Sequence, residues 1–231
     1  MSKRFPGVQA LDHVRFDVRP GEVHALLGEN GAGKSTLIKI ISGVHKPDTG
    51  EFRINGQRVS FANPREAQAA GVATIYQELS LYPELTVAEN IFMGHQPRGA
   101  FGAINWREMR RRAREILHSL EIDDLDVNAK VGALSVGKRQ RVEIAKALSQ
   151  DARILIMDEP TAALTEADVQ RLFSIVRLLR DRRFQVVQLL LEVAVLLQED
   201  HLQSASICAQ ASSMPSFTAC QNTLVGVAWW R

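Results

Sequence analysis

The chain has 231 residues, enough for one sizeable domain with a subdomain, and an apolar share of 45% that is ordinary for a globular protein. Its formal net charge is only +2, so composition implies no strong field for a nucleic-acid backbone. No run of apolar residues is long enough to span a bilayer, and the opening Met1–Gly7 lacks the apolar stretch of a secretory signal. Both cysteines, Cys208 and Cys220, lie near the end and form no metal-like pair, which suits unremarkable thiols in a reducing compartment.

In chain order, Val14–Val18 alternates apolar and polar residues and reads as a strand, with Arg19-Pro20-Gly21-Glu22 as a turn. Val23–Leu27 reads as a buried strand. It runs into Gly28-Glu29-Asn30-Gly31-Ala32-Gly33-Lys34-Ser35-Thr36, which fits the phosphate-binding pattern G-x-x-x-x-G-K-[ST]. Such a loop turns several backbone N–H groups toward one point, and glycine is needed where a side chain would block the phosphates or where φ is positive. A helix should begin near Lys34, its positive dipole end facing the anion. In this pattern Lys34 reaches the β/γ-phosphates and the Ser35 hydroxyl takes Mg²⁺. The plain alternative, a glycine turn without a nucleotide, is disfavoured by the strand before it and the apolar helix after it.

Glu51–Val59 reads as a hairpin turning at Asn55-Gly56. Pro64–Ala70 reads as a short helix stopped by Gly71, and Val72–Tyr76 as a strand ending at Gln77. Residues 86–150 read as mostly helical. Arg107, Arg110, Arg111, Arg112 and Arg114 cluster on one such helix, and a solvated face is favoured over an anion site. In Leu134-Ser135-Val136-Gly137-Lys138, Ser135 can cap the following helix and Gly137 leaves room for an anion near its first turn. Ile154–Met157 is a strand buried on both faces. It delivers Asp158 beside the phosphate loop to help hold Mg²⁺, and Glu159 to polarise a water for attack on the γ-phosphate. Strands alternating with helices imply a parallel sheet.

The order and spacing of these three elements resemble the ATP-binding cassette ATPases over residues 3–183. The resemblance implies an α/β P-loop NTPase fold with an antiparallel β subdomain and a helical subdomain at 86–150. It implies that Gly28, Asn30, Gly31, Ala32, Gly33, Lys34, Ser35 and Thr36 hold ATP, and that Phe5 stacks on adenine. Ser35, Asp158 and Gln77 then hold Mg²⁺, while Glu159, Gln77 and Lys34 carry hydrolysis. Two cassettes meet head to tail in that family, so Ser135 and Gly137 touch a nucleotide held by the partner. Ala162–Thr165 matches the loop facing that partner, with Thr165 in place of the usual aspartate.

Finer wording, at Tyr76-Gln77-Glu78-Leu79, Leu85–Gly94 and Leu134-Ser135-Val136-Gly137, resembles the first cassette of bacterial ribose, xylose and galactose importers. That implies a peripheral protein on the cytoplasmic face of the inner membrane. Its partners are permease subunits, docked through a short helix near residues 78–95, and through them a sugar-binding protein; no nucleic acid is involved. Lys138 departs from the common signature by adding a cation near the γ-phosphate site.

The family also places a histidine one strand beyond the acidic pair, where the count from Asp158 reaches Leu191; His201 lies too far on. Composition changes at the same place, since residues 184–231 hold only Glu192, Glu199, Asp200 and Arg231 among the charged residues. The expectation is that the C-terminal part of the core is aberrant or missing, residues 184–231 being an atypical tail of the kind a frameshift or truncation leaves. The start also reads as short by one strand. Within the tail, Leu189, Val193, Leu196 and Leu197 form a helical stripe across 184–198, the stretch beyond 204 reads as loosely ordered, and Trp229-Trp230 as an association hazard if exposed. The alternatives to a sugar-importer ATPase are an ATP-binding remnant deficient in hydrolysis and a soluble, non-transport cassette ATPase.

Overall fold

The computed structural model describes residues 1–27, 31–76, 80–161, 163–189 and 226–230. Its centre is a five-stranded sheet in the order β6-β7-β8-β3-β9. Strands β3 (Val23–Leu27), β6 (Val72–Ile75), β7 (Ile154–Met157) and β8 (Gln185–Leu189) run parallel, and β9 (Gly226–Trp230) joins the β3 edge antiparallel.

Each face of the sheet has its own core, because side chains alternate across a strand. On β7, Leu155 and Met157 point into one cluster and Ile154 and Ile156 into the other. The first cluster is closed by α3 (Val87–Ile91), α4 (Trp106–Ser119), α5 (Val136–Leu148) and α6 (Glu166–Asp181). Val142, Ile144, Leu172 and Leu179, each at most 1% exposed, supply much of that cover. The second cluster is closed by α1 (Lys34–Ile41), α2 (Pro64–Ala69) and the hairpin of β4 (Phe52–Ile54) and β5 (Gln57–Val59). A separate antiparallel pair, β1 (Lys3–Phe5) and β2 (Val8–Leu11), lies over the start of α1.

Local signals explain most boundaries. The β4–β5 turn has positive φ at both Asn55 and Gly56, the requirement of a two-residue type I′ turn. Asn63 caps α2, Pro64 takes its first position, and Gly71 follows with φ +86°. Thr86 and Glu89 form a reciprocal capping box at α3. Next to it Asn90, fully buried, accepts from the Tyr82 amide and donates to the carbonyls of Tyr82, Leu85 and Thr86. This pins the loop that enters the helical region. On α4 Met109, Ala113 and Leu117 face inward while Arg111 and Arg112 pair with Glu108, whose carboxyl they push down to about 2. The arginine run is thus a solvated face.

Three expectations change. Val14–Val18 is not a strand. Its side chains keep the alternation, half-buried at Val14, Phe16 and Val18, but no regular strand forms there, and Val14 pairs with Met1. Val14 donates to the Met1 carbonyl at 2.9 Å and accepts from the Met1 amino group at 2.6 Å. The helical stripe expected from residue 184 is also corrected at its start: Gln185–Leu189 forms β8, the parallel strand between β7 and β3. The two ladders on either side of it outweigh local periodicity. At the other end of the tail, Gly226–Trp230 is strand too, paired with β3. Leu191, Val193, Leu196, Leu197, His201, Cys208 and Cys220 lie outside the described residues.

Candidate nucleotide-binding site

Strand β3 points its C-terminal end at the loop before α1, as buried parallel strands do in open α/β sheets. Gly31 and Gly33 have φ +87° and +85°, which only glycine adopts without strain. Gly33 has a second reason to lack a side chain. A β-carbon there would lie 2.4 Å from the Ala10 carbonyl oxygen and 2.8 Å from Leu11 Cδ2. The glycine therefore sets how closely β2 approaches the loop. Gly33 is also the N-terminal boundary of α1, so the first-turn amides, which have no acceptor inside the helix, border the same hollow. No acidic residue occupies that turn.

The hollow has a volume of about 380 Å³, and its walls include Phe5, Val8, Ala10, the 31–36 turn and Glu159. Lys34 is only 6% exposed although charged. Phe5 is half-buried, edge-on to His45 with ring centroids 5.3 Å apart, and Lys3 Nζ lies 5.6 Å from its centroid. Val8 is 60% exposed and adds an apolar wall. No sequence signal pointed to it, because both its exposure and the short strand that carries it belong to the fold.

Asp158 follows β7 and extends its ladder, its amide donating to the Ile75 carbonyl at 2.9 Å. Burial pushes its carboxyl up, while the ammonium groups of Lys39 and Lys34 pull the other way. A carboxylate that has lost water and, among the described residues, gained no direct partner suits a cation, and with the Ser35 hydroxyl it offers a hard-oxygen donor set of the kind Mg²⁺ takes. Glu159 is half-buried with φ +48°, an unusual conformation for a residue with a side chain. That backbone turns it into the hollow beside the loop. The residues present therefore fit a triphosphate with its magnesium. Gly28, Asn30 and Gln77 lie outside the described residues.

Ser135 and Gly137 are not part of this hollow. Ser135 is exposed and caps α5, accepting from the Lys138 amide at 3.4 Å. Lys138 does not project freely from the turn: its ammonium donates to the Asp124 carbonyl at 3.2 Å and lies 3.5 Å from Asp124 Oδ2. Asp124 also accepts both terminal nitrogens of Arg141, at 2.6 and 3.0 Å, and that guanidinium, with Lys138, holds its carboxyl below the usual range. The room expected at Gly137 is taken by the carboxylate of Asp168 from α6. A second hollow, about 210 Å³, opens between β6 and α5, lined in part by Tyr76, Ser80, Glu143 and Lys146.

Residues 11–162 match the sequence profile of the ABC transporter family. The chain belongs to that family. Among relatives of this ABC protein, a putative ribose/galactose/methyl galactoside import ATP-binding protein of Burkholderia cenocepacia is 57% identical over 181 residues, 78% of this chain and 35% of the relative. The chain thus spans about a third of the length of the curated relatives it matches. An ATP-binding cassette of an ABC transporter, solved in its ADP conformation, superposes with a TM-score of 0.73 at 28% identity, covering 85% of this chain and 80% of that one. A dimeric cassette in a post-hydrolysis state bound to ADP and Pi gives a TM-score of 0.66 at 28% identity, covering 84% and 86%. Membership of that family implies nucleotide binding. Among the described residues no helix is long and apolar enough to cross a membrane.

Proposed function

We propose that this chain is the ATP-binding and ATP-hydrolysing part of a carbohydrate importer, residues 1–183 carrying the cassette motifs and 184–231 an atypical tail that still lends β8 and β9 to the sheet. The observation that carries the reading is the meeting of Lys34, the glycine turn and Glu159 in one hollow of about 380 Å³, with Asp158 just behind it. The sugar class rests on relatives such as the Burkholderia protein named above.

In this reading ATP enters with its base against Phe5 and its phosphates over residues 28–36. Lys34 and the first amides of α1 meet the charge that develops on the γ-phosphate. Glu159 accepts a proton from the attacking water, which needs it within hydrogen-bond reach of that water. Ser35, Asp158 and Gln77 would hold magnesium, which when bound neutralises charge across the β- and γ-phosphates.

A second cassette completes the site. Ser135 and Gly137 then address a nucleotide on the partner, in keeping with the dimeric cassette solved with ADP and Pi. The groove beside Tyr76, Ser80 and α5 is where a short permease helix would lodge, coupling nucleotide state to the membrane through Gln77. A sugar-binding protein would act through that permease. The location that follows is the cytoplasmic face of the inner membrane.

The absence of a histidine at Leu191 favours a second reading, an ATP-binding remnant with little turnover. One pair of measurements separates them: equilibrium binding of labelled ATP and release of phosphate, each with and without Mg²⁺. Binding that Lys34→Ala abolishes, with turnover that Glu159→Gln abolishes, supports the enzyme. Binding without turnover supports the remnant. Magnesium-independent binding indifferent to Lys34→Ala refutes both.

A further inference from the structure

Gly137 is buried although its neighbours Ser135 and Val136 are exposed. The cover comes from Asp168. A β-carbon at Gly137 would lie 2.3 Å from Asp168 Cγ and 2.4 and 2.7 Å from the two carboxylate oxygens. The carboxylate therefore rests on the glycine's α-carbon, at the first turn of α5. That turn carries no acidic residue of its own, so the helix's positive end receives its negative charge from another element.

Capping alone does not explain this placement. Thr165 Oγ1 accepts from the Asp168 amide at 3.3 Å and donates to Oδ2 at 2.8 Å, which orders the start of α6. Neither bond requires contact with α5. Arg171 on the same helix also faces the carboxylate, 3.8 Å from Oδ1 on an exposed side chain.

We infer that Asp168 is a built-in anion that covers the Gly137 turn and must withdraw before that turn can meet a nucleotide held by a second cassette. The inference rests on the head-to-tail reading given above. A carboxylate and a phosphate compete for one helix end, and two negative charges a few ångströms apart repel even in a watery interface. Asp168 thus acts as a brake on association. It also ties that brake to the loop leaving Glu159, since α6 begins a few residues after the acidic pair.

The test uses the full chain carrying Glu159→Gln, to retain the triphosphate, and measures self-association by sedimentation with and without Mg-ATP. Asp168→Asn should tighten the ATP-dependent association about three- to tenfold, the range expected for one unit of repulsion at a screened surface, without changing ATP affinity of the single chain. Association left unchanged or weakened overturns the inference. Asp168→Ser gives a second neutral variant if the first does not fold.

A partner-free arm follows the ¹⁵N-labelled Gly137 amide during titration with inorganic phosphate. The neutral variants should shift at phosphate concentrations that leave the parent still; an equal response in both, or none in either, overturns the inference. If every protein binds ATP yet none associates, the head-to-tail reading fails, and the Gly137 response alone decides the role of Asp168.

Discussion

Gly33 offers a measurable link between the phosphate loop and the strand lying over it. Gly33→Ala adds one methyl group and meets two penalties. A residue with a side chain at φ +85° costs about 1–2 kcal/mol. The new β-carbon also meets the Ala10 carbonyl oxygen at 2.4 Å, a contact with backbone that no side-chain rotation relieves. Overpacking of this kind adds about 1–3 kcal/mol. Gly31→Ala is the internal control, because Gly31 shares the backbone conformation at φ +87° but, among the described residues, has nothing within 4 Å of its would-be β-carbon. For a chain of this size about 1 kcal/mol corresponds to roughly 2–4 °C in melting temperature. Gly31→Ala should therefore lower the melting point by a few degrees and Gly33→Ala by about twice as much, read by calorimetry without nucleotide. Gly33→Ala should also loosen β1–β2 and weaken ATP binding through the displaced Phe5. Equal melting points for the two variants would refute the claim that β2 is held against the loop by a missing side chain.

Three further outcomes follow from burial and charge. Leu155, fully buried at the centre of β7, should cost about 2–5 kcal/mol on replacement by alanine, read as a lower denaturant midpoint at unchanged slope. Asp158 has a raised carboxyl, so its folded state is favoured when protonated and that advantage fades as pH rises through the shifted value. Asp158→Asn should accordingly raise the nucleotide-free melting temperature at neutral pH, with the gain vanishing in acid, while Mg-ATP binding is lost; a destabilised variant at pH 7 contradicts this. Asp124 shows the opposite sign. Arg141 lowers its carboxyl, so the ion pair stabilises above the ordinary carboxylate range and is lost as pH falls through the lowered value. Asp124→Asn should flatten that acid limb and, by leaving the 5%-exposed Arg141 poorly paired, cost about 1–3 kcal/mol at neutral pH, checked by urea melts across pH.

The sequence by itself determined the parts that depend on neighbours along the chain. The turn at Asn55-Gly56, the cap at Ser135, the four-residue strand before Asp158 and the loop before Lys34 all follow from local φ requirements, short-range hydrogen bonds and runs of apolar side chains. The convergence of the last two on one edge was legible too, because parallel strands in such sheets deliver their C-terminal ends to a common edge.

Tertiary structure decided whatever depends on partners distant in sequence. Val14–Val18 keeps a strand's alternation without being a strand, since pairing belongs to two segments and periodicity to one. Gln185–Leu189 carries part of a helical stripe yet is strand, because β7 and β3 both present it with unpaired backbone. Lys138 turns to Asp124, and Gly137 lies under Asp168, through contacts spanning loops and helices that no local rule encodes. Local sequence sets what each segment can form, but the position of a charge against a helix end is fixed only when the chain folds back on itself.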